Sequence, residues 1–99
     1  MDRDGVVDFI IENLEKKSLT VSPSTVVFLH STGYINEDLI AKTDQRTIQK
    51  NLRELIAEII NTYERRTEEA KRPTKVRDKD VRKAVKIKYC SLPPFCKST

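Results

Sequence analysis

Apolar side chains recur at intervals of three and four residues through much of this chain. The longest series lies between residues 44 and 70, where no glycine or proline interrupts it. Such spacing places one apolar stripe along a single helix, which would be about 40 Å long at a rise of 1.5 Å per residue. The stripe consists of Ile48, Leu52, Leu55, Ile56, Ile59, Ile60 and Tyr63. The pattern therefore predicts a long amphipathic helix.

Three shorter helices are predicted before it. The first covers residues 4–16, with Val6, Val7, Ile10, Ile11 and Leu14 on its apolar face. Ser22 followed by Pro23 is typical of a helix N-terminus, and Gly33 of a C-terminal stop, which gives a helix over residues 23–32. Asn36 is suited to cap one further turn.

A final short helix is predicted after the long one. Pro73 cannot remain helical because proline lacks the backbone donor and restricts the residue before it. The chain then runs extended to about Val76, and Asp78 or a neighbour begins a last helix that buries Val81, Ala84 and Val85. Residues 90–99, which contain two prolines, are expected to be irregular but to pack Leu92 and Phe95 onto the helices.

The length of the chain makes the long helix unusual. A compact domain of about 100 residues has a diameter of roughly 26 Å, so the helix would extend beyond it. The 99 residues form one domain. Either the helix protrudes as a coiled coil, or a second chain completes the core by covering part of the stripe. We expect a homodimer or a heterodimer.

Composition favours a small helical protein with solvated outer faces. Hydrophobic residues are 37% and charged residues 34% of the chain. No apolar run approaches the roughly 20 residues of a membrane span, and the N-terminus is too acidic for a secretory signal. We expect an intracellular, soluble protein with no membrane partner.

Charge is distributed unevenly. Residues 1–42 carry net charge −3, whereas residues 43–99 carry +7. Between residues 71 and 88 there are nine lysines and arginines against two aspartates. A concentrated basic region attracts phosphates by counterion release without reading bases, so it indicates a nucleic-acid backbone as a partner.

Two short motifs carry a resemblance to a known family. Ala70-Lys71-Arg72-Pro73-Thr74 and Asp80-Val81-Arg82-Lys83-Ala84 resemble the basic second loop and the start of the third helix of histones. Leu55-Ile56-Ala57-Glu58-Ile59-Ile60 is similar to the middle of a histone central helix. The resemblance implies an all-α histone fold over residues 21–89. An additional N-terminal helix over residues 1–20 departs from the family's pattern, and residues 90–99 are expected to form an irregular tail.

The histone resemblance implies a site and an interface. Two chains would clasp antiparallel along their long helices, with the first loop of one beside the second loop of the other. The dimer interface would consist of Leu52, Leu55, Ile56, Ile59, Ile60 and Tyr63. Double-stranded DNA would be contacted largely without sequence specificity, and Asp80 would hold the loop arginine, Arg72, in place. The residues expected at the DNA backbone are Lys71, Arg72, Thr74, Lys75 and Arg77.

This resemblance points to an architectural DNA-binding protein located in the nucleus or on the chromosome, or in the nucleoid of a prokaryote. One alternative is a histone-fold heterodimerisation subunit of a transcription or chromatin complex, which the acidic first half favours. Another is a helix-turn-helix regulator built on residues 33–48. There, however, Ala41 to Thr47 leaves too few residues for the usual turn, and no strand pair forms a wing.

Catalytic, metal and cofactor chemistry has little support in the sequence. His30 is the single histidine, and its apolar neighbours indicate a residue at the edge of the core or an interface rather than a general base. Cys90 and Cys96 are too few for a zinc site within one chain. A disulfide between them is geometrically possible but unusual in a reducing cytosol. Two reduced thiols are therefore expected, with zinc shared across a dimer as a further alternative. We expect no enzyme activity, no cofactor, no metal and no small-molecule substrate.

Overall fold

The computed structural model describes residues 2–31, 35–70, 75–89 and 92–95. The described chain is mainly helical. Five α-helices are followed directly by a short π-helical segment, Val85–Tyr89. In chain order the α-helices are α1 (Arg3–Lys16), α2 (Pro23–Ser31), α3 (Glu37–Lys42), α4 (Gln45–Ala70) and α5 (Asp78–Ala84). The all-α prediction is confirmed.

Local capping signals set most of the helix starts. The Asp2 side chain accepts a hydrogen bond from the Gly5 N–H. Asn36 accepts from the N–H groups of Asp38 and Leu39, so its predicted role as the cap of α3 is confirmed. These side chains satisfy donors that a helix leaves unpaired in its first turn.

The end of α1 forms a Schellman motif. Ser18 adopts a left-handed conformation with φ of 62°, and its N–H donates to the Glu15 carbonyl. The next N–H, of Leu19, donates back to the Leu14 carbonyl. This pair of bonds turns the chain away from the helix axis and lets Leu19 pack against the core beside Leu14.

One hydrophobic core joins the helices. α1 and α5 both pack against α2 and α4. The long helix has 26 residues, about 39 Å at 1.5 Å per residue, and it accounts for most of the 42 Å long axis of the molecule. Its residues Leu52, Leu55 and Ile59 are fully buried by the chain's own side chains.

From the length of α4, a second chain was expected to cover its apolar stripe, but the chain itself buries most of that stripe. The additional helix α1 and the segment after α5 cover much of the stripe that a second chain was expected to cover. Among the six residues predicted at a dimer interface, Ile56 is 6% exposed, and only Ile60 and Tyr63 are partly exposed. A second copy docking on this fold would therefore reach only the edge of the stripe.

The tail returns to the helices, as predicted. Phe95 is 1% exposed and forms an isolated antiparallel bridge with Ile35. The Asn36 N–H donates to the Pro94 carbonyl over 3.0 Å, and Asn51 Nδ2 donates to the Pro93 carbonyl over 2.7 Å. These contacts attach the tail to the start of α3 and to α4. The predicted helix stop at Gly33 and both cysteines, Cys90 and Cys96, lie outside the described residues.

None of the described helices has the length and apolar character needed to cross a membrane.

Candidate nucleic-acid interface

A largely buried ion pair joins α4 to the first turn of α5. The Asp80 carboxylate is 1% exposed, and the Arg66 guanidinium, which comes from α4, is 18% exposed. Arg66 Nε donates to Asp80 Oδ1 and Arg66 Nη2 donates to Asp80 Oδ2, each over 3.0 Å. This two-point contact matches the planar fork of a guanidinium to a carboxylate, and it joins α4 to α5. The hydrogen bond to Asp80 raises the pKa of Arg66 above its ordinary value.

The same pair also fixes the backbone on both sides of Val76. Arg66 Nη2 donates to the Lys75 carbonyl over 2.9 Å. On the other side, Asp80 Oδ2 accepts from the Arg77 N–H over 3.0 Å. Two of the residues predicted at the DNA backbone, Lys75 and Arg77, therefore have backbone groups held by the ion pair, while their own side chains remain exposed.

The backbone of Val76 is also held by the segment before α2 and by the first turn of α2. Its N–H donates to the Thr20 carbonyl over 2.8 Å. Its carbonyl accepts from the Ser22 N–H and from the buried Thr25 hydroxyl, both over 3.1 Å. The parallel bridge between Val21 and Val76 results. Both backbone groups of Val76 are thus used within one chain, whereas the resemblance implies pairing of this loop with a partner's first loop.

Asp80 contacts an arginine as the resemblance implies, but the described partner is Arg66 of α4. The expected partner, Arg72, lies outside the described residues together with Lys71 and Thr74.

The sequence pattern did not identify Arg66 as a partner of Asp80, because Arg66 stands in a charged run, Glu64-Arg65-Arg66. It does, however, continue the apolar stripe, three residues after Tyr63 and seven after Ile59. A charged residue in phase with a buried face is the signal that could have found it.

The basic surface continues along the outer side of α5. Lys79, Arg82 and Lys83 of α5 and Lys86 of the π-helical segment are all exposed, and Arg82 and Lys83 come three and four residues after Lys79. The intervening positions, Asp80, Val81, Ala84 and Val85, are buried. We name as the basic face the six exposed cations Lys75, Arg77, Lys79, Arg82, Lys83 and Lys86.

Local contacts restrain one member of the basic face. The Arg82 guanidinium lies 4.9 Å from the centroid of the Phe28 ring, and its Nη2 lies 3.5 Å from Asp78 Oδ2. Phe28 belongs to α2, so this cation–π contact also joins α2 to α5. Asp78 is the one acidic side chain between Lys75 and Lys86 that remains partly exposed. The basic face therefore keeps a strong excess of positive charge.

Most acidic side chains of residues 1–42 lie on α1. Asp4, Asp8, Glu12 and Glu15 are exposed along α1. At the start of α1, Arg3 Nε lies 3.2 Å from Glu37 Oε1, and Asp4 Oδ1 lies 3.5 Å from His30 Nδ1. His30 is therefore a half-exposed residue at the helix edge in contact with an acid. The fold thus separates an acidic helix from a basic one.

The exposed lysines and arginines of the basic face are side chains of the kind that commonly contact phosphate oxygens. Among the residues that the structure describes, no group of three or more His, Cys, Asp or Glu side chains is placed to hold a metal ion. Lysine and arginine side chains on a helix whose inner side is buried can contact phosphate oxygens without moving the backbone.

Comparison with protein-family models, with curated proteins and with solved structures gave no match to this chain.

Proposed function

We propose that this protein binds the backbone of double-stranded DNA, largely without reading its sequence, as a histone-like architectural protein. The observation that carries the proposal is the basic face: six exposed cations on α5 and its flanking residues. Backbone phosphates attract such a surface whatever the base sequence, because the interaction is electrostatic and releases counterions.

Rigidity of the basic face supports the proposal. Lys75 and Arg77 are held through their backbone by Arg66 and Asp80, and Arg82 rests on Phe28. Cations on a fixed backbone lose less conformational freedom on binding than cations on a mobile tail. A positioned row of charges therefore suits a duplex, whose phosphates are themselves regularly spaced.

The histone resemblance adds a dimer to this proposal. A second chain would place two basic faces on one dimer, which would extend the surface that contacts DNA. Ile60 and Tyr63 are the stripe residues with exposed surface available to such a partner. The dimer is thus proposed at the edge of the stripe, with the fully buried leucines contributing to the core of each chain.

Titration with unrelated duplexes tests the proposal. The purified chain is added to two labelled duplexes of different sequence, and fluorescence anisotropy is read at about 50 and about 200 mM salt. We expect similar affinities for both duplexes and a steep fall with salt. Absence of binding at the lower salt concentration, or a strong preference for one sequence, would count against a backbone-binding architectural protein.

A second candidate function is a heterodimerisation subunit of a chromatin or transcription complex. The exposed acids of α1 favour it, because a negative helix face would repel DNA and attract a basic protein partner. This candidate predicts a chain that remains indifferent to duplexes and forms a stable complex only with another protein. The same titration separates the two functions.

A further inference from the structure

A series of hydroxyl groups lies where the start of α2 meets Val76. Thr25 is fully buried, and its hydroxyl oxygen lies 3.1 Å from the Val76 carbonyl oxygen and 2.6 Å from Ser22 Oγ. Ser24 Oγ lies 3.1 Å from Ser22 Oγ. The hydroxyls of these residues therefore form one connected series that runs from the exposed Ser24 to the backbone of Val76.

The direction of each hydrogen bond in this series follows from the protons available. A carbonyl oxygen can only accept, and a hydroxyl group has a single proton to donate. Thr25 therefore donates to the Val76 carbonyl, and the proton between Thr25 and Ser22 must come from Ser22. By the same count, Ser24 donates to Ser22. Hydrogen bonds aligned in one direction strengthen one another, so the Thr25 hydroxyl is itself held in its orientation toward Val76.

The peptide group that Thr25 contacts lies between two cations of the basic face. Its oxygen is the Val76 carbonyl oxygen, and its N–H belongs to Arg77 and donates to Asp80 Oδ2 over 3.0 Å. Lys75 is the residue before Val76. The polar atoms of this peptide group are thus held by two buried side chains, Thr25 of α2 and Asp80 of α5.

We propose that Thr25 is a positioning residue for DNA binding, because it holds the backbone from which Lys75 and Arg77 present their exposed side chains. This role rests on the proposed function and extends it to a residue of α2. Thr25 is fully buried, so it acts through the two cations rather than by contact with DNA. A cation on a fixed backbone loses less conformational freedom on binding. Loss of the hydroxyl should therefore weaken binding although no charge is removed.

Two substitutions of Thr25 separate its hydroxyl from the rest of the side chain. Thr25→Val removes the hydroxyl and keeps the branched shape, whereas Thr25→Ser keeps the hydroxyl. We expect Thr25→Val to weaken the binding of a labelled duplex about fivefold, and Thr25→Ser to retain the affinity within about twofold. Thr62→Val is the matched control and should leave duplex binding unchanged, because it removes a buried hydroxyl that donates to the Glu58 carbonyl within α4. Circular dichroism and urea denaturation verify that the variants fold.

A combined variant determines whether Thr25 acts through the two cations. Thr25→Val is added to Lys75→Gln with Arg77→Gln, and the combined variant should bind a duplex no more weakly than the pair alone. Equal weakening by Thr25→Val on both backgrounds, or equal weakening by Thr62→Val, would overturn the assignment, because a general loss of stability would then explain the effect. Unchanged binding by Thr25→Val would overturn the assignment and leave the proposed function intact. Absence of binding by the wild-type chain would instead remove the proposed function, and the role of Thr25 with it.

Discussion

Arg66 and Asp80 form a buried, two-point ion pair that joins the long helix to the helix carrying the basic face. The pair also holds the backbone of Lys75 and Arg77. This ion pair therefore connects the core of the fold to residues that are proposed to contact DNA. Its loss would affect stability and the shape of the basic face together.

Replacement of Arg66 by alanine should destabilise the protein by about 3 kcal/mol, because it leaves the buried Asp80 carboxylate without its partner. The free energy of unfolding is measured by urea denaturation. The neighbouring Arg65 is exposed and provides a matched control, for which Arg65→Ala should change stability by less than about 0.5 kcal/mol. Equal effects of the two substitutions would contradict the structural role given to the pair.

Asp44 is expected to make the stability of α4 depend on pH. Hydrogen bonds from the side chain and backbone of Thr47 lower the pKa of this carboxyl below its ordinary value of 3.8. A group whose pKa is lower in the folded state stabilises that state above the unfolded pKa, and the contribution is lost as pH falls through the folded pKa. Asp44→Ala should therefore destabilise the protein at neutral pH. The substitution should have little effect at a pH below the pKa that Asp44 has in the folded state. Carboxyl titration of Asp44 by nuclear magnetic resonance checks the direction of the shift; a pKa raised above the ordinary value would contradict this account.

Phe95 is predicted to be essential for the packing of the tail. Its ring is 1% exposed, so Phe95→Ala should cost about 3–5 kcal/mol through lost burial and the cavity left behind. Val27 is 63% exposed and serves as the control, since Val27→Ala should have an effect within about 0.5 kcal/mol. A small effect of Phe95→Ala in thermal or urea unfolding would show that the tail does not pack on this core.

Solution mass tests the proposed dimer. We expect a dimer by light scattering, and we expect Ile60→Glu to yield a folded monomer because Ile60 lies at the partly exposed edge of the stripe. Ile56→Asp should instead unfold the chain, because a charge would be placed in the core. Gln45→Glu, an equal change of charge at an exposed position of α4, should leave the mass unchanged. A wild-type monomer at all concentrations would contradict the dimer.

Sequence patterns predicted the helices well because their signals are local. Asn36 caps α3 through N–H groups two and three residues away, and the periodic apolar positions of α4 require only one helix to be recognised. The described starts and ends lie within about one or two residues of the predicted ones, which is the usual variation of helix boundaries. Local chemistry was sufficient for these elements.

Tertiary partners could not be predicted in the same way. Periodicity indicates that Leu52 and Ile59 are buried but not what covers them, and here the chain's own side chains do so. The contacts of Arg66 with Asp80 and of Val21 with Val76 join residues 14 and 55 positions apart, respectively, in the sequence. Such contacts depend on how helices pack, which no local motif specifies. The basic residues were evident in the sequence, whereas their arrangement on one side of α5 required the fold.

The most direct test of the proposed function compares two double variants in the duplex titration. Lys79→Gln with Lys83→Gln removes two charges from the basic face, and Lys16→Gln with Lys50→Gln removes two exposed charges elsewhere. We predict that the first pair weakens binding to all duplexes alike and reduces the slope of log affinity against log salt by about two, while the second pair has little effect. Equal losses from the two pairs, or unchanged binding after the first, would contradict the claim that the basic face contacts DNA.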